Sequence, residues 1–130
     1  MRLIFIALLL FIGHSQKNSI KDFKVTYVSL FSTKTYRISC NDFPRAFLKE
    51  DYTSWEPTKK STVDSFDKLT KEFSAINLME IDVRKIIEWK SDNHNHKYCF
   101  DIHGRFTDGY DMYQNKRLLF FFEKYLIKHF

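Results

Sequence analysis

Ile81-Asp82-Val83-Arg84-Lys85-Ile86-Ile87-Glu88-Trp89, then Lys90-Ser91, then Asp92-Asn93-His94-Asn95, then His96-Lys97-Tyr98-Cys99-Phe100-Asp101-Ile102 is the stretch whose reading decides the fold. Its first nine residues mostly alternate apolar with polar and are rich in β-branched side chains, the two-residue period of a strand. Asp92 to Asn95 is turn chemistry. From His96 the alternation resumes, with Tyr98, Phe100 and Ile102 on one face. A strand, a short polar turn and a returning strand define an antiparallel pair.

Toward the C-terminus, Gly104 marks an expected bulge, and Asp108-Gly109 is a hairpin turn signal that returns the chain as a strand over 110–114. Asn115 is placed to cap a last helix whose buried stripe is Leu118, Leu119, Phe122, Tyr125 and Leu126. Toward the N-terminus, Val63, Phe66, Leu69, Phe73 and Ile76 recur at helical spacing, giving an amphipathic helix over 62–76. Ser61 and Asp64 stand at capping-box spacing at its start. Residues 50–60 read as a loop. Asn41-Asp42-Phe43-Pro44 opens a short helix over 43–49. Before it, residues 23–31 and 35–40 alternate around Ser32-Thr33 and read as a hairpin. The expected fold is α+β, an antiparallel sheet of about five strands in the order ββααβββα, with the helices packed on one face.

The chain opens Met1-Arg2 and runs into ten apolar residues, Leu3 to Ile12, followed by Gly13, His14 and Ser15. A positive start, a short apolar core and small residues at the −3 and −1 positions, here Gly13 and Ser15, have the form of a secretory signal. Cleavage is expected after Ser15, leaving residues 16–130 as one small exported domain, secreted or periplasmic. A bilayer-spanning helix needs about 20 apolar residues, so no stable membrane span is expected after cleavage. Hydrophobic content of 44% and aromatic content of 18% argue against disorder. The chain carries +5, of which Arg2 lies in the leader, leaving +4 on the rest with both signs interspersed. That pattern lacks the dense basic stripe of a nucleic-acid binder, and no nucleic-acid partner is expected. The excess suits an acidic polysaccharide, an anionic lipid or an acidic protein, or serves only to keep a surface solvated.

Cys40 and Cys99 are the two cysteines. In an exported chain an even count points to a Cys40–Cys99 disulfide. No cofactor is implied. Asp92, His94 and His96 form the best metal candidate, since residues two apart on a strand face the same way, although Asp and His are ordinary in a solvated turn. Asp101 and His103, with Ser39 or Thr35, sketch a hydrolase triad without any nucleophile elbow. Arg84 beside Asp82 is either an anion clamp or a salt bridge. Tyr52 and Trp55 are candidate recognition aromatics, Trp55 with the alternative of folding back on the core. Phe120 and Phe121, inside five consecutive apolar residues, are candidates for a partner surface or self-association. The favoured reading is an exported, non-enzymatic domain that binds a protein or cell-envelope component. The alternatives are a small hydrolase using Asp101 and His103, or a metal or ligand carrier using His94 and His96.

Overall fold

The computed structural model describes residues 19–29, 32, 34–77 and 80–126. The expected leader over 1–15, and Thr33 of the expected first turn, lie outside the described residues.

The central hairpin forms where the alternation places it. Strands β4 (Lys85–Ser91) and β5 (His94–Phe100) pair antiparallel from Lys85 opposite Phe100 to Ser91 opposite His94. The two residues between them, Asp92 and Asn93, have φ of 51° and 60°. Asp and Asn tolerate that left-handed region better than other non-glycine residues, and two such residues in a row make the tight turn whose twist suits a hairpin. Strand β1 (Lys21–Val28) adds to the other side of β4, and β2 (Tyr52–Trp55) adds outside β1. On the far side, β6 (Arg105–Thr107), β7 (Met112–Gln114) and the two-residue β3 (Ser74–Ala75) follow β5. The result is one antiparallel sheet of seven strands in the order β2-β1-β4-β5-β6-β7-β3.

The α+β class with an antiparallel sheet is as expected; the strand count and order are not. Residues 35–40 form no strand, because Ile38 is drawn across the sheet face instead. Its N–H donates to Asp82 Oδ1 at 2.9 Å, and its carbonyl accepts from Val83 N–H at 2.9 Å. Two strands arise where none was expected, β2 inside the expected loop and β3 within residues assigned to the helix over 62–76, and the expected strand running from His96 past Gly104 is split by a turn at residues 102–104 into β5 and β6. Gly104 is therefore a turn residue rather than a bulge inside a strand. Its φ is +79°, and a Cβ there would meet the Asn115 carbonyl and Leu119 Cγ at 3.1 Å each, so two separate constraints select glycine.

The helices divide between the two faces. α2 (Lys60–Lys71) and α3 (Lys116–Leu126) lie on the face that carries Phe23, Val25, Tyr27, Ile87, Trp89, Phe100 and Phe106. Phe66 of α2 sits at the middle of this core. Its ring centroid is 4.8 Å from Phe23, 5.6 Å from Trp89 and 5.8 Å from Phe121, and burying one such ring contributes about 2 kcal/mol. The short α1 (Phe43–Ala46) lies on the opposite face, where Val28, Ile38, Phe43, Phe47, Ile81, Val83, Ile86 and Cys99 form a second core. The one-face arrangement holds for the two long helices and fails for α1. At the start of α2, Ser61 and Asp64 make no capping box. The helix begins at Lys60, and Asp64 pairs with that lysine at 3.1 Å.

Asn115 joins the ends of the two long helices. Its side-chain oxygen accepts the Arg117 N–H at 2.9 Å and so caps α3, as the sequence suggests. Its amide nitrogen donates to the carbonyls of Leu69 and Glu72 at 2.7 and 2.6 Å, satisfying the end of α2. Asn115→Ala removes all three bonds at a buried position and is expected to lower unfolding free energy by about 2 kcal/mol. Urea denaturation measures this; a change within 0.5 kcal/mol (about the scale of an ordinary surface substitution) contradicts the linking role.

Candidate functional site

The face opposite the long helices carries a half-open groove of about 710 Å³. One wall is the segment 37–42, another is residues 80–83, and the third is the β6–β7 hairpin. Ile81, Val83 and Met112 line it together with Cys40 of the Cys40–Cys99 disulfide. That bond fixes the first wall to the centre of the sheet, with a Cα–Cα distance of 5.7 Å across 59 residues of sequence. A local knot stiffens the same wall. Ser39 Oγ donates to Asp42 Oδ2 at 2.7 Å, the Asp42 N–H donates back to Ser39 Oγ at 3.1 Å, and the Phe43 N–H donates to the Ser39 carbonyl at 3.0 Å.

The hairpin wall is equally ordered. Asp108 Oδ1 accepts the N–H groups of Tyr110 and Asp111 at 2.9 and 3.0 Å, and the Gly109 N–H donates to Thr107 Oγ1 at 2.9 Å. Gly109 has φ +102°, which glycine adopts without strain. Burial by itself pushes the Asp108 carboxyl up, but the Asp111 and Tyr110 N–H groups and the Tyr113 hydroxyl favour the anion. The net result lies below the ordinary carboxylate range. This clamped turn holds Tyr110 outward at the rim with 94% of its surface exposed. The rim carries both signs: Arg37 and Glu80, 3.8 Å apart and exposed, with Asp42, Lys97 and Asp108 around them.

The candidate residues read from the sequence are dispersed. Tyr52 braces α1: its hydroxyl donates to the Phe43 carbonyl and accepts the Phe47 N–H at 3.1 Å. Trp55 does fold back, lying half-buried on β2 and stacked 6.0 Å from Tyr125. Arg84 takes the salt-bridge form. Its Nε and Nη2 donate to Asp82 Oδ2 at 3.0 and 2.6 Å, Nη1 donates to the Ser32 carbonyl at 2.7 Å, and the guanidinium lies over the Phe47 ring. Phe121 is a core residue at 5% exposure, whereas Phe120 points outward at 69%.

His96 stacks on Trp89 at 5.2 Å and shares a hydrogen bond with Ser91 at 2.7 Å. His94 is exposed at the start of β5, and Asp92 lies in the preceding turn. Among the described residues no group of three His, Cys, Asp or Glu side chains is placed to hold a metal ion. Asp101 is 98% buried, and its carboxylate is fully engaged. It accepts the His103 and Arg105 N–H groups at 2.8 and 3.0 Å and pairs with the Arg105 guanidinium. Asp101 thus meets His103 through the backbone rather than the imidazole, and the Ser39 hydroxyl is turned to Asp42. No triad is assembled from these residues. Sequence reasoning missed Asp108 and Tyr110 as site residues. The available signal was an aromatic immediately after an Asp-Gly turn.

No family model, no curated protein and no solved structure matches the chain. No helix among the described residues is long and apolar enough to cross a membrane.

Proposed function

We propose that the chain is a small exported, non-enzymatic domain, and that the groove opposite the long helices receives a protein or cell-envelope component. The observation that carries this reading is Tyr110, held fully outward at the groove's rim by a turn whose backbone is clamped on Asp108. An exposed tyrosine on a fixed backbone turn beside an apolar floor is the kind of side chain that anchors an interface, because it buries a large area through few rotatable bonds. The mixed charges of Arg37, Glu80, Asp42 and Lys97 supply a polar rim. The disulfide supports export, since such bonds persist in oxidising compartments. Export through a leader cut after Ser15 belongs to the same reading.

Two experiments test it. Mass analysis of the purified extracytoplasmic protein is expected to find Gln16 at the N-terminus; a cytosolic species retaining Met1 overturns export. A pull-down from the envelope fraction is expected to retain a component with the native chain and to lose it, by at least tenfold, with Tyr110→Ala at unchanged melting temperature. Equal retention by the two chains overturns the groove as the binding face.

A further inference from the structure

A second surface, independent of the groove, lies at one edge of the sheet. The Val28 N–H donates to the Arg84 carbonyl, so the backbone groups of Val28 and Thr26 face β4. Those of Tyr27 and Val25 then face β2, because neighbouring residues of a strand point their N–H and C=O groups to opposite sides. Tyr27 lies opposite Thr53, and Val25 opposite Trp55. Thr53 and Trp55 are therefore the residues of β2 bonded inward, and Ser54 turns its N–H and C=O away from the sheet. β2 is an outermost strand, and Ser54 is exposed. The neighbouring outward N–H, that of Tyr52, is already taken by the Lys49 carbonyl. The strand contains no charged residue, proline or bulge, the devices that ordinarily blunt an open edge. The opposite edge of the sheet is only the two residues of β3.

Where β2 ends, a cleft of about 310 Å³ opens between it and the end of α3. Trp55, Pro57 and Tyr125 make its apolar wall, and Lys59 and Lys124 stand at its mouth with Glu56. Lys60 is paired with Asp64, whereas among the described residues Lys59 and Lys124 have no acidic partner. The Lys124 ammonium lies 5.1 Å from the Tyr125 ring centre.

We propose that the outer edge of β2 and the adjoining cleft receive a short, extended acidic segment of a partner protein, added beside Ser54 as an extra strand. The backbone of Ser54 gives the segment its main-chain hydrogen bonds, the Trp55–Tyr125 wall takes one of its apolar side chains, and the two lysines take its carboxylates.

The test is calorimetric titration of the full exported chain with a synthetic nine-residue peptide of alternating threonine and valine carrying a glutamate at each end. Binding at sub-millimolar concentration is expected, together with at least tenfold weaker binding of the same peptide with lysine ends. Ser54→Pro removes only an outward N–H, which an edge strand tolerates. It is expected to weaken binding at least tenfold while the melting temperature stays close to that of the native chain. The double variant Lys59→Glu/Lys124→Glu, which alters two exposed side chains and leaves the strand untouched, is expected to do the same and decides the matter if Ser54→Pro fails to fold. No heat at millimolar peptide, equal binding of the two peptides, or undiminished binding by either variant overturns the proposal. So does a concentration-dependent dimer, seen by sedimentation, that Ser54→Pro abolishes, since it makes the second copy the occupant.

Discussion

Replacing both half-cystines, Cys40→Ala with Cys99→Ala, is expected to lower the unfolding free energy by about 4 kcal/mol, the loop-closure term for a cross-link spanning this much chain. The two residues lie 59 apart in sequence, so the bond excludes many expanded conformations of the unfolded chain. The loss falls unevenly on the folded molecule. Cys99 is fully buried in the second core beside Ile38 and Ile86, whereas the helix-side core around Phe66 contains neither cysteine. The sheet and long helices should therefore survive in the variant at low temperature, while the wall at 37–42 loses its anchor and the groove loses its shape. Urea unfolding of the oxidised, reduced and double-alanine forms measures the effect, and the reduced form separates the cross-link from the small gap left by the sulfurs. A difference below about 1 kcal/mol, well outside the usual range for a native disulfide, contradicts the argument. Thiol titration of the unreduced protein should find no free thiol.

The parts of the fold that the sequence discloses are those whose causes are local. The β4–β5 hairpin needs only alternation on both sides of Asp92-Asn93, and α3 needs only its apolar stripe and the Asn115 cap. β2 is hidden because an edge strand is paired on one side alone. Tyr52 and Trp55 are half-buried, Thr53 and Ser54 are exposed, and no alternation results. Residues 35–40 mislead for the opposite reason. Ile38 is buried and Cys40 half-buried at a period of two, although Tyr36 before them is exposed, and a segment crossing a sheet face leaves nearly the same trace as a strand within it. What selects between them is a partner far away in sequence: Asp82 for Ile38, and β4 for β1. Such pairings are set by the whole core rather than by the residues in the window.

The candidate site divides along the same line. Cysteine count and the expectation of export suffice for the Cys40–Cys99 pair, and the nearness of Asp82 to Arg84 is visible at two residues' spacing. Tyr110 is not legible as a rim residue, because its position depends on where the β6–β7 hairpin stands relative to the segment 37–42. Strand periodicity puts Asp101 and His103 on one face, yet the chain leaves β5 at Phe100 and turns at 102–104. The periodicity that would have put both side chains on one face stops there, and the carboxylate instead closes the turn.

One misfit in the alternation does have a consequence. Lys85 shares a strand face with Ile87 and Trp89, the face covered by the long helices. Its ammonium lies 3.9 Å from the centre of the Phe122 ring. Desolvation at this position lowers its pKa from the ordinary 10.5 to about 8, with the attraction of Asp101 opposing that shift. The folded chain therefore binds fewer protons than the unfolded chain between pH 8 and 10.5, and stability must rise with pH across that window. Below pH 8 the protonated lysine costs the fold a constant amount, about 3 kcal/mol for a shift of this size. The phenols of Tyr27 and Tyr98 act in the other direction. Burial pushes both up, with Asp108 and Asp67 adding to the effect on Tyr98, so the folded state loses stability as pH climbs beyond the ordinary tyrosine value near 10. The two opposing slopes place a stability maximum close to pH 10. Lys85→Met keeps the stem of the side chain against Phe122 and removes the charge. It is expected to stabilise the chain by about 2 to 3 kcal/mol at pH 7 and to abolish the rise between pH 8 and 10, leaving only the tyrosine-driven fall. Urea midpoints measured at intervals from pH 6 to 10.5 on both chains decide it. A native chain whose stability is flat or falling from pH 8 to 10 shows that the ammonium is solvated rather than held against the aromatic core.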